Sequence, residues 1–210
     1  VCISKGETKS ILVDYQVSFD STKFAIVRNG CSFQKVSSSL SPDSSICFDD
    51  RDIDVLVVGR IESRKNQLKI LKAFRNSSLS VVFVGSLNPN NPVYCQAFLA
   101  GVKNDSRFVY YGSASRDEMV QLYRRSKIHL SASLFEVSSL VDIESYNENC
   151  FVVSSSNGYS AEILSPPGFM VASPDNLELT AASLQAIVKY GMYGDHRTSR
   201  NFYDYSWRDS

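Results

Sequence analysis

Two carboxylates, Glu136 and Glu144, bracket the stretch "FEVSSLVDIE" with seven residues between them. A carboxylate accepts two hydrogen bonds from a cis-diol, so either glutamate is suited to grip a ribose or a hexose. Far upstream, "VVGRIESRKNQ" places Arg60 and Lys65 just after Gly59, a residue that permits a tight exit from a strand. A guanidinium and an ammonium beside a helix N-terminus suit a diphosphate, because fixed positive charge joins free backbone N–H groups. The N–H groups of Val137, Ser138, Ser139 and Leu140, between the two glutamates, would face the same cleft. Each feature also has a plainer explanation. On spacing alone, Arg60 and Lys65 read more readily as solvated loop cations, and Glu144 as an exposed helix residue. Glu162, in "SSNGYSAEIL", reads as a carboxylate that complements the dipole of the helix it opens.

The elements that would position these residues follow a regular rhythm from residue 53 onward. "IDVLVVG" (53–59), "SVVFVG" (80–85), "RFVYYG" (107–112), "IHLSAS" (128–133) and "CFVVSS" (150–155) are short apolar runs, as in strands buried on both faces. Helical patterns separate them at 65–76, 93–104, 115–126 and about 139–147. In the first of these, Leu68, Leu71 and Phe74 share one face. Ser115 with Glu118 forms a capping-box pattern at the third. A short helix near 159–164, an extended piece near 168–172 and a helix near 176–190 complete the series. Buried strands alternating with helices require parallel pairing through right-handed crossovers. The expected fold is therefore α/β, a doubly wound, parallel, Rossmann-like sheet with helices on both faces. Ligands of such sheets bind beyond the carboxyl ends of the strands, where both clusters fall.

The segment 1–48 is less regular. "FAIVRNG" (24–30) reads as a strand entering an Asn-Gly turn, and "SSSLSPDSS" (37–45) as a polar linker, so a domain boundary is expected near 48–49. The 210 residues carry zero formal net charge, 43% hydrophobic and 21% charged residues, values of an ordinary globular chain. That balance argues against a general nucleic-acid or anionic-membrane surface. No apolar run approaches the roughly 20 residues that span a bilayer, and no leader pattern opens the sequence. Starting on Val1, in what reads as a strand tail, the chain is expected to be a piece of a longer protein. The cysteines, Cys2, Cys31, Cys47, Cys95 and Cys150, are odd in number and lack CxxC spacing, as expected of reduced structural thiols. The sequons at Asn76 and Asn104 are short enough to arise by chance. His129 reads as a core or strand-end histidine, and neither it nor His196 has a ligand-like setting, so no metal site is expected.

Taken together, "VVGRIESRKNQLKILKAF", "FEVSSLVDIE" and "FVVSSSNGYSAEIL" resemble the donor-nucleotide domain of GT-B glycosyltransferases of family 4, the retaining enzymes with the glycosyl transferases group 1 domain. The E-x7-E of Glu136 and Glu144, following a GR-x4-K loop at the family's distance, is the specific part. "CISKGETKSIL…FAIVRNGCSF" resembles the family's lead-in from the first Rossmann domain, and "NFYDYSWRDS" its C-terminal stretch. The resemblance implies that Arg60 and Lys65 hold the diphosphate of a nucleotide sugar and stabilise the leaving group. Glu136 touches the transferred sugar, and Glu144 binds the ribose. Gly59 and the amides of Val137, Ser138, Ser139 and Leu140 line the same substrate site. It further implies a UDP- or GDP-sugar donor, a glycan or lipid-linked acceptor bound by a missing N-terminal domain, no metal and no other cofactor. The expected place is the cytoplasm, with contact at the inner face of the membrane through that missing domain. Without it the fragment is expected to bind nucleotide and transfer little sugar.

Two departures stand out. Many family members have Gly-Phe-Gly where this chain has Val137-Ser138-Ser139, and "EAMA" is replaced by "ESYN" at Glu144–Asn147. Glycines allow close backbone approach, so this change bears on sugar preference and turnover. Two alternatives stay open. One is a related epimerase or phosphorylase, although neither an added carboxylate–histidine set nor a cofactor lysine is evident. The other is a nucleotide- or partner-binding module without catalysis.

Overall fold

The computed structural model describes residues 4–16, 50–137, 139–164, 166 and 168–190. Six parallel strands form one sheet in the order β3-β2-β1-β4-β5-β6. They are β1 Ile53–Val58, β2 Val81–Val84, β3 Phe108–Gly112, β4 Ser126–Leu130, β5 Phe151–Ser155 and β6 Phe169–Ala172. The helices are α1 Lys5–Asp14, α2 Gln67–Phe74, α3 Pro92–Lys103, α4 Arg116–Arg125, α5 Leu140–Asn147 and α6 Leu177–Tyr190. The doubly wound parallel sheet is thus as expected.

Side-chain alternation explains why both faces are covered. Val55, Val57, Val81, Phe83, Ile128 and Val153 join Leu71, Phe74, Phe98 and Leu184 in one core under α2, α3 and α6. Leu56 and Val84 point the other way, toward Leu122 and Tyr123 of α4, and Ile53 joins that cluster at the start of β1. Ile143 of α5 packs with Val152, Leu164 and Phe169. Phe83, Phe98 and Tyr110 meet edge-to-face in the first core, with Phe83–Phe98 centroids 5.1 Å apart.

Local chemistry sets the helix starts. Ser115 and Glu118 make the expected reciprocal capping box of α4. Pro92 opens α3, where its missing N–H costs nothing. The Ser139 hydroxyl accepts from the Asp142 N–H and caps α5. Arg51, buried, donates to the carbonyls of Tyr123 and Ser126 at the end of α4 and of Glu148 after α5, so one guanidinium closes two helix C-termini.

Some details differ from expectation. A helix, α1, stands in the segment expected to be less regular; the Ser4 hydroxyl caps it by accepting from the Glu7 N–H. Strand β4 ends at Leu130 rather than 133, because after Ser131 pairs with the Val153 carbonyl the chain turns away toward Glu136. Near 159–164 there is a 3₁₀ turn, Ser160–Glu162, rather than a helix. Lys65 lies in a 3₁₀ turn, Ser63–Lys65, just before α2. The strand expected at 24–30, the linker at 37–45 and the stretch "NFYDYSWRDS" lie outside the described residues, as do Ser138, His196 and three of the cysteines. Cys95 and Cys150 are buried, and their thiols donate to the carbonyls of Ile61 and Tyr123.

Candidate functional site

The sheet order reverses at β1, which pairs with β2 on one side and β4 on the other. Connections leaving β1 and β4 diverge to opposite faces, and the ends of these two strands mark the usual ligand position in such sheets. Both sequence clusters sit on these two connections. Lys65, after β1, donates to the Glu136 carboxylate, after β4, at 2.5 Å. Arg64 reaches the same carboxylate at 3.4 Å and donates to the Phe135 carbonyl, while its own carbonyl accepts from the Leu134 N–H. Two loops that are distant in sequence are therefore laced together at the switch point.

Each loop has its own scaffold. Gln67, buried at the start of α2, donates to the Arg60 carbonyl and accepts from the Glu62 N–H and the Tyr94 hydroxyl. Glu62 pairs with Arg64 and accepts from Asn88. Gly59 and Gly85 both have the positive φ that disfavours side chains. A side chain at Gly85 would run into the Gly59 carbonyl, and one at Gly59 would press on the Lys65 stem. Bare backbone at these two positions lets the Lys65 stem lie flat over the strand exit. The Glu136 loop is braced by its neighbour after β5. Glu136 N–H donates to the Asn157 carbonyl, Asn157 donates to the Leu134 carbonyl, and Gly158 abuts the Glu136 backbone.

Glu144 lies in the second turn of α5, half-buried, and accepts from the Tyr123 hydroxyl at 3.0 Å. Burial pushes its pKa up, against the Tyr123 hydroxyl and the charges of His129 and Arg116, which pull it down. Beneath it, Asp142 is fully buried and accepts from Ser154 and Ser160 and bonds His129 Nε2 at 3.0 Å. Burial would raise the Asp142 pKa, but His129 and the two hydroxyls outweigh it and hold the carboxyl below its ordinary value. His129 is thus a core histidine tied to a carboxylate, and its Nδ1 has no hydrogen-bond partner among the described residues.

The remaining expected site residues fare differently. Arg60 is exposed, and among the described residues its side chain has no hydrogen bond or ion pair, so the structure does not itself draw it to Lys65. Ser139 turns its hydroxyl inward as the α5 cap, while Leu140 and Val141 open the first turn, where N–H groups lack helical acceptors. Val137 is half-buried beside Glu136. Glu162 complements a helix dipole, but not that of its own element: its two oxygens accept from the Lys5 and Gly6 N–H groups at the start of α1. Sequence reading missed Arg64, Gly85, Tyr123 and Asp142. Asp142 left a signal, a carboxylate within the otherwise apolar run "LVDI".

The family model described as glycosyl transferases group 1 matches residues 44–201. The chain belongs to this family. Among solved structures it is similar to a glycosyltransferase from Rickettsia africae, with a TM-score of 0.70, 18% identity and coverage of 89% of this chain and 52% of that one. It is also similar to HepE of Anabaena in complex with UDP, with a TM-score of 0.73, 14% identity and coverage of 91% and 54%. A third likeness is to the lipopolysaccharide outer core galactosyltransferase WaaB, with a TM-score of 0.66, 16% identity and coverage of 93% and 54%. At these identities the likeness is one of fold. The chain spans about half the length of each of these three proteins. No curated protein matches its sequence. In this group 1 glycosyltransferase chain, the loops after β1 and β4 carry the candidate site. Among the described residues no helix is long and apolar enough to cross a membrane, and no three His, Cys, Asp or Glu side chains cluster as metal ligands.

Proposed function

We propose that the chain is the donor-binding half of a retaining glycosyltransferase, which moves a sugar from a nucleoside diphosphate sugar to a glycan or lipid-linked acceptor. The observation that carries this reading is the meeting of Lys65 with Glu136 at the switch point of the sheet, with Glu144 in the second turn of α5, the helix that follows. A neighbour of the same fold is described in complex with UDP and glucose, which supports a nucleotide-sugar ligand.

In this reading the diphosphate takes the place of the Glu136 carboxylate against Lys65, and the exposed Arg60 swings in as the second cation. Their charge, with the α5 N-terminal amides, stabilises the phosphate as the glycosidic bond breaks. The displaced Glu136 then turns to the sugar hydroxyls, and Glu144 accepts from the ribose. Fixed cations at this point take the role that a divalent ion takes elsewhere, so no metal is required. The acceptor binds to a further domain across the cleft, in the cytoplasm at the inner membrane face. This half alone binds nucleotide and transfers little sugar.

Calorimetric titration with UDP, GDP and ADP, repeated on Glu144→Gln, tests the reading. One nucleotide binds selectively, and the substitution weakens it by about 1.5–3 kcal/mol, the range for hydrogen bonds to a charged group. That is on the order of tenfold to a hundredfold. An unchanged affinity in Glu144→Gln sinks the ribose role.

A further inference from the structure

We infer that Tyr123 is a positioning residue for Glu144: its hydroxyl holds one carboxylate oxygen so that the other is presented to the nucleotide ribose. The inference rests on the role proposed for Glu144 above. Tyr123 is on α4, and its side chain is fully buried among Ile53, Leu56, Val84 and Leu122. A phenylalanine would fill that volume equally well. A buried hydroxyl is a liability unless it is bonded, and the bond that satisfies this one is made to Glu144 Oε2. The other oxygen, Oε1, takes no hydrogen bond among the described residues.

The ring that carries this hydroxyl is itself held. It stands edge-on to His129 of β4, with centroids 6.4 Å apart and planes at 86°. His129 is bonded to Asp142, which lies on the same helix as Glu144. Two ties therefore fix α5 against α4 and β4, one through each carboxylate. A glutamate has three rotatable side-chain bonds, and tethering one oxygen to a rigid ring removes in advance part of the ordering cost of binding. The hydroxyl also works against burial to keep Glu144 ionised. Only the ionised carboxylate is a pure acceptor for two ribose hydroxyls. The charged or titratable groups acting on Glu144 are Tyr123 and Arg116 of α4 and His129 of β4.

The test compares the chain with Tyr123→Phe, Glu144→Gln and the double variant. The first readout needs no ligand. The Glu144 carboxyl is followed by carbon NMR from pH 4 to 8, and its midpoint moves upward in Tyr123→Phe. The second is calorimetry with whichever of UDP, GDP and ADP binds. Tyr123→Phe weakens binding by about threefold to tenfold, the range for one hydrogen bond. The loss grows as pH falls, because the untethered carboxyl protonates sooner; the titration of the nucleotide itself is common to both proteins and cancels. In the Glu144→Gln background, Tyr123→Phe has no further effect. An unmoved Glu144 midpoint, or equal losses in both backgrounds, overturns the inference and leaves the ribose reading standing. If Glu144→Gln leaves affinity unchanged, the ribose reading fails and this inference with it.

Discussion

Lys65 and Glu136 are separated by 71 positions in the chain, yet their ammonium and carboxylate meet at 2.5 Å. The pair is the point where the two halves of the sheet diverge, and it neutralises the cation that the proposed diphosphate would need. A ligand must therefore displace a carboxylate already in place. Lys65→Ala is expected to lower UDP affinity by about 1.5–3 kcal/mol. Glu136→Gln is expected to leave UDP affinity equal or higher, because an amide has no charge with which to hold Lys65, while sugar transfer by the complete enzyme falls. Calorimetry on both variants separates these effects; equal losses from the two substitutions would contradict the exchange.

Gly85 has the positive φ and the close approach to the Gly59 carbonyl that exclude a side chain. Gly85→Ala is expected to cost about 1–3 kcal/mol in urea unfolding. Nucleotide binding should fall with it, because the displaced Gly59 carries the Lys65 stem. A variant with wild-type stability would show that the loop gives way freely.

The lowered pKa of Asp142 has a defined sign in stability. Because the folded-state value lies below the ordinary 3.8, the carboxylate contributes stability that is present above that value and lost as pH falls through the lowered folded value. Asp142→Asn is expected to cost about 1–3 kcal/mol at pH 7, and the gap to the wild type narrows only in strong acid. Unfolding curves at several pH values read this directly; a gap that is constant down to the lowest pH would assign the cost to packing instead.

Glu162 holds α1 through the Lys5 and Gly6 amides, and Tyr159 adds a bond to Ser10. Glu162→Ala is expected to speed amide hydrogen exchange along α1 while the sheet keeps its protection. Unchanged exchange at Lys5 and Gly6 would show that another contact docks the helix.

Much of this was legible in the residues themselves. The β-branched runs and the helical spacing between them sufficed for a parallel doubly wound sheet, because short strands buried on both faces have few other arrangements. Ser115 with Glu118 was readable because capping depends on neighbours three residues apart, whereas the Ser139 cap of α5 was not read from the sequence. Glu136, Glu144 and Lys65 were picked out by their spacing, and the fold brings the first and last together.

What the chain order could not reveal depends on contacts between distant segments. The ion pairs of Arg64 and Lys65 with Glu136 exist only because β1 and β4 are adjacent in the sheet. Glu162 looked like a cap for its own turn, but the 3₁₀ geometry after β5 aims it at α1. Tyr123 and Asp142 were not singled out by spacing. Tertiary packing made one the support of a carboxylate and the other a buried acceptor for His129, Ser154 and Ser160. Sequence periodicity determines which face of each element is buried, since that depends on the spacing of apolar residues. Which polar groups meet in the buried layer, and how their proton affinities move, is decided only when the elements pack and water is excluded.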